Sequence, residues 1–215
     1  MRRKVLLKAV IVVALTIPVF VFCSLPMVRA GATSLDFDLS GISSGGMICY
    51  YGGSDSLEGT DIQVSQITAG GLLLPVTNGI LTFTSGANTG GWNWGPGGTI
   101  TVTGNIGSGQ ETLLSGTFSS AEVTPVNGTS FQVVIGGITN TNSLDLTSYF
   151  TMPAGQYTGA LASVVLGTAT VGQSFTCETT LSGDIDDSPV PIPGAALLLG
   201  PGLGLIMATR RKLKK

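Results

Sequence analysis

The sequence predicts an all-β fold, a β-sandwich of short antiparallel strands with a β-solenoid as the alternative, and three observations carry that expectation. No helical stripe of useful length runs between residues 31 and 188. Short β-branched runs recur through that interval, separated by Gly, Asn, Ser and Thr. Several of those runs alternate, with Ile62/Val64, Leu81/Phe83, Ile100/Val102 and Phe175/Cys177 on one face and hydroxyl side chains on the other. Two stacked sheets would bury such faces against each other.

Taken in order, the expected strands are 34–39, 47–51, 61–68, 80–84, 99–103, 113–118, 131–138, 157–166 and 174–181. The stretch 84–98 is too rich in turn formers to be read as a strand, and it carries both tryptophans, Trp92 and Trp94. Two readings stand for them. An aromatic pair beside flexible glycines could stack on a sugar ring of an extracellular polysaccharide, or the indoles could cap the end of the core.

Charge sorts the chain into segments. The 215 residues hold 10 Lys and Arg, 12 Asp and Glu and no His, for a net charge of −2. Every base lies before residue 31 or after residue 209, and every acid lies from Asp36 to Asp187. The interval 31–188 therefore has a formal charge of −12 and no cationic side chain. Nucleic-acid binding is excluded, since nothing there can neutralise phosphates. The usual general base and Schiff-base amine are missing too, so the expectation is a protein that is not an enzyme, with no catalytic residues and no cofactor.

Residues 1–30 combine a basic start, an apolar run from about Ala9 to Phe22 interrupted by Pro18, and small residues at Val28 and Ala30. That pattern is a secretory signal peptide cleaved after Ala30, with an uncleaved anchor helix as the competing reading. Phe20, Val21 and Phe22 are too bulky for Cys23 to sit in a lipobox. Residues 31–182 form the exported β-rich domain, and 183–193 an acidic, proline-containing linker. Residues 194–215 follow as a hydrophobic helix with a basic tail. The 16 residues of 194–209 would span roughly 24 Å as a helix, slightly short of a bilayer core of roughly 30 Å, a gap that snorkelling arginines can close. The tail cluster Arg210, Arg211 and Lys212 stays cytoplasmic by the positive-inside rule.

The order Val190-Pro191-Ile192-Pro193, glycine-rich apolar segment, Arg-Arg-Lys cluster resembles the PEP-CTERM sorting signals of Gram-negative bacteria. Ile192 stands where the best-known form has glutamate, which places the motif nearer the hydrophobic Val-Pro-Leu-Pro-like variants. The resemblance implies recognition in the membrane by an exosortase, a cysteine-dependent protease or transpeptidase. It implies an inner-membrane protein before processing and a cell-surface or extracellular one afterwards, often alongside extracellular polysaccharide. A permanent single-span anchor is the alternative. The stretches 59–64, 78–83, 97–104 and 113–118 are loosely similar to other bodies carried by such tails, and no activity comes with that likeness.

Without the signal peptide, two cysteines remain. Cys49 and Cys177 fall in expected strands, and in an exported protein they read as a disulfide, with two buried thiols as the alternative. Acids gather at Asp55, Glu58 and Asp61 and again at Asp184, Asp186 and Asp187. Neither group has the ligand spacing of a calcium loop, so solvated surface acids are the default reading, with a divalent ion as counter-charge the alternative, and no metal site is assigned.

Overall fold

The computed structural model describes residues 34–191 except 41–45 and 169. The expected signal peptide 1–30, the expected helix 194–215, Ile192, Pro193, Arg210, Arg211 and Lys212 lie outside the described residues. No helix among the described residues is long and apolar enough to cross a membrane.

Twelve strands and one short helix make up the described chain. They are β1 (Leu35–Leu39), β2 (Met47–Tyr50), β3 (Leu57–Ala69), β4 (Leu72–Thr84), β5 (Asn88–Gly90), β6 (Asn93–Trp94), β7 (Gly98–Asn105), β8 (Gln110–Phe118), β9 (Ser120–Asn127), β10 (Ser130–Asn142), α1 (Leu144–Tyr149), β11 (Gln156–Leu166) and β12 (Phe175–Pro189). Every pairing is antiparallel.

Tracing neighbours gives a ring, β1–β3–β4–β7–β8–β10–β11–β12 and back to β1. The expected sandwich, and the solenoid beside it, are both corrected: this is a closed eight-stranded β-barrel with additional strands. Period-two alternation is the same in a sandwich and a barrel, because in each one face is dry and the other wet. What separates them is the long-range ladder of the first strand with the last, Leu35 opposite Asp187 through Leu39 opposite Gly183. β2 takes up the line of β1 further along the same seam, pairing with β12 at Tyr50/Phe175 and with β3 at Tyr50/Leu57. Closure satisfies the backbone groups that an open sheet would leave at its edges.

Strand curvature comes from bulges. The β3–β4 register shifts between Gly59 and Ile62 and between Val64 and Gln66, where Asp61 and Asn78 adopt positive φ. Phe83 and Phe118 lie over the glycines opposite them, Gly59 and Gly98, so that ring carbons occupy the space a Cβ would need.

Apolar side chains point in. Leu35, Phe37, Val64, Ile67, Leu81, Val102, Leu113, Val133, Ile135, Leu161 and Ile185 belong to one buried cluster. Outward positions such as Thr99, Thr101, Thr103 and Ser115 are polar, the reverse of a lipid-facing barrel. Both mouths are plugged. At one, the β5–β6 hairpin turns Trp92 and Trp94 inward; at the other, α1 lowers Leu146 and Phe150 onto the core. Ser143 caps α1 by accepting from the Leu146 amide at 3.1 Å.

The acidic segment expected as linker is largely barrel. β12 continues through Asp184, Asp186 and Asp187 to Pro189, so the domain extends past residue 182.

Candidate functional site

The mouth plugged by α1 gathers the features relevant to function. β1 begins there and β12 ends there, with Leu35 and Asp187 directly opposite. The described chain therefore begins and ends on adjacent strands at this mouth. Among the described residues the last backbone hydrogen bond runs from the Val190 amide to the Gln156 carbonyl, at 2.9 Å. Val190 is 40% exposed and Pro191 is exposed. These two described residues of the expected sorting motif follow directly on the end of β12.

The inner wall at this mouth is polar, which the sequence reading missed. Asn140 and Asn142 of β10 and Asp187 of β12 lie on the inward faces of their strands, with β11 between. Asp187 is 0% exposed and Asn140 3%. The Asn142 Nδ2 donates to Asp187 Oδ2 at 2.6 Å. Gly159, the residue opposite Asp187 on β11, leaves room for this bridge: a Cβ there would lie 3.2 Å from Asp187 Oδ1 and 2.2 Å from the Asp186 carbonyl oxygen. Tyr157, opposite Asn140, donates to the Pro153 carbonyl at 2.7 Å. Burial pushes the Asp187 carboxyl above its ordinary range, against the pull of the Asn142 hydrogen bond and a weaker one from the Asn140 amide, which falls short of hydrogen-bond geometry. Burial and the nearby Asp187 raise the Tyr157 phenol as well.

Outside the same wall, the β1–β12 ladder sets Asp36 opposite Asp186 and Asp38 opposite Asp184. Like charges directly across a ladder repel. Burial first, then Asp184, Asp186 and Asp38, raises the Asp36 carboxyl; burial, Asp38 and Asp186 raise Asp184. Gln66 relieves part of the crowding by donating from Nε2 to Asp38 Oδ2 at 2.8 Å. Glu111, nearer α1, is raised by burial and by Asp145.

The two expected acid groups are thereby redistributed. Asp184 and Asp186 face out and Asp187 faces in, while Asp55 sits in the turn before β3 and Glu58 and Asp61 within that strand. Among the described residues no group of three or more His, Cys, Asp or Glu is placed to hold a metal ion.

At the opposite mouth the expected disulfide is present. Cys49 on β2 joins Cys177 on β12, and its Cα–Cα distance is 4.0 Å. It fastens the seam where β2 lies between β12 and β3.

Trp92 and Trp94 flank that seam and are 1% and 2% exposed. Trp92 Nε1 donates to the Gln173 carbonyl at 2.9 Å and Trp94 Nε1 to the Asp55 carbonyl at 3.0 Å. Trp94 packs edge-on against Tyr50, and Trp92 against Phe131 and Phe175. Neither indole offers a ring face to solvent, so the sugar-stacking reading of this pair is corrected to a core plug.

No protein-family model, no curated protein and no solved structure matches this chain.

Proposed function

We propose that the chain is an exported, non-catalytic cell-surface or extracellular-matrix protein, held at the inner membrane by its apolar flanks until an exosortase-type enzyme processes the tail. The observation that carries this reading is the place where the barrel ends. Among the described residues the last backbone hydrogen bond is that of Val190, the first residue of the Val190–Pro193 motif, so a cut after it would leave every described strand pairing in place. Two further features agree with it. The first and last described strands, β1 and β12, are neighbours, so the described chain starts and stops at one mouth of the barrel. The disulfide weakly favours an oxidising compartment.

The barrel would then be cargo: a closed acidic body with few unpaired edges, suited to standing outside the cell without edge-to-edge aggregation. The test is a pair of variants in the native host. Replacing Pro191 and Pro193 by alanine should leave full-length protein in the membrane fraction, whereas a stop codon after Pro193 should release folded, disulfide-bonded barrel from the membrane. Equal release of wild type and the proline variant would refute processing at this motif.

A further inference from the structure

The buried polar cluster under α1 has an imbalance that the described residues do not resolve. Its one internal bond is Asn142 Nδ2 to Asp187 Oδ2. Asp187 Oδ1, Asn140 Oδ1, Asn142 Oδ1 and Asn140 Nδ2 are buried with no hydrogen-bond partner among the described residues. Three are acceptor oxygens and one is a donor. The neighbouring backbone groups are engaged in the β10–β11 and β11–β12 ladders. The titratable group coupled to the cluster is Tyr157, the acids Asp36, Asp184 and Asp186 stand on the outer face of the same wall, and no base lies among the described residues.

We propose that Asp187, Asn140 and Asn142 form a binding site for a hard, oxygen-seeking cation, with Ca2+ the best match. A carboxylate together with amide oxygens is the donor chemistry that calcium takes, in flexible geometry and with water completing the shell. Mg2+ fits less well, because it demands a near-regular octahedron and gives up water reluctantly. A buried water would supply hydrogens to the acceptors but leave the charge of Asp187 uncompensated in a dry interior. A proton on Asp187 would remove the charge and could bond one amide oxygen, yet leave the others unmet. Gly159 is the enabling residue, since any side chain there would fill the space beside Asp187 Oδ1. The inference does not depend on export or tail processing.

The experiment uses the full chain purified in detergent, stripped with EDTA and melted at pH 8 with CaCl2, MgCl2 or NaCl at matched ionic strength. CaCl2 at about 5 mM should raise Tm by roughly 3–6 °C, saturating with a Kd on the order of 10⁻⁴–10⁻³ M, and MgCl2 should do less. Asp187→Asn, a neutral isostere, should fold and lose the response, and Asn140→Leu should lose most of it. Asp38→Asn combined with Asp184→Asn removes carboxylates of the outer ladder and should keep the response. The proposal is overturned if wild type is indifferent to CaCl2, which would leave Asp187 hydrated or protonated. It is overturned equally if Asp187→Asn keeps the shift, or if only the outer-ladder variant abolishes it.

Discussion

Breaking the disulfide should cost this barrel more than any single core truncation. Cys49 and Cys177 are 128 residues apart in sequence, so the bond closes a loop around nearly the whole ring. A loop of that length removes about 5 kcal/mol of chain entropy from the unfolded state, an upper figure for the bond's contribution. The seam gives the number its structural meaning. β1 meets β12 at one mouth and β2 meets it at the other, and only the second junction carries a covalent tie. For a domain of this size each kcal/mol moves Tm by roughly 2–4 °C, so reduction should lower Tm by roughly 10–20 °C. The assay is thermal unfolding followed by far-ultraviolet circular dichroism, with and without a phosphine reductant, and with Cys49→Ala/Cys177→Ala as the independent control. Both should show the same drop. If reduced and double-variant proteins melt within about 2 °C of the oxidised one, the seam is held by its ladder and core alone and the loop-closure reasoning is wrong.

Other outcomes follow from the same geometry. The upward shifts of Asp36, Glu111, Asp184 and Asp187 mean that the folded chain holds these protons more tightly than the unfolded one, so stability falls as pH climbs from about 4 through the raised values. Tm should accordingly be higher near pH 4.5 than at pH 8 in EDTA, and a rise with pH would contradict the shifts. Trp94→Ala should cost about 3–5 kcal/mol by emptying the plug beside Tyr50, measured by urea titration, while retention on the cell's own polysaccharide stays unchanged in whatever remains folded. Gly159→Ala would set a methyl against the Asp186 carbonyl oxygen, and a loss of about 2 kcal/mol or more in the same titration is expected; a neutral result would mean that β11 and β12 separate more readily than their ladder implies.

Much of the barrel wall was legible in the sequence, because each strand is half wet and half dry and its alternation shows. The expected strands 99–103, 113–118 and 157–166 fall inside β7, β8 and β11. The first half of β4, with Leu72 and Leu73 exposed near its start, hid behind its turn-like context, and so did β9, which carries Pro125. Closure was not legible, since it rests on pairing residues about 150 apart, such as Leu35 with Asp187, and a local pattern has no record of that. The end of β12 misled for a specific reason. In Asp184-Ile185-Asp186-Asp187 the acids read as linker, while the signal was Ile185, whose parity continues the inward face.

The sites divide along the same line. Cys49 and Cys177 were readable as a pair because two cysteines remain once the leader is set aside. Trp92 and Trp94 were legible as residues of a turn-rich link, but whether they face solvent or core depended on the β5–β6 hairpin folding over the mouth. Asn140 and Asn142 lie in a run, Thr139-Asn-Thr-Asn142, whose two faces are equally polar. Nothing in it distinguishes wall from lumen until Asp187 is brought in from the far end of the chain.

The mass of the mature protein decides most directly whether the tail is cut or kept. Intact-mass spectrometry of material recovered from outside the cell should give a chain beginning near Gly31, ending between Val190 and Pro193 and carrying two hydrogens fewer than the reduced form for the Cys49–Cys177 bond. A mass that still includes Lys215 would show that the tail is kept, and the cargo reading would have to give way to a permanent anchor.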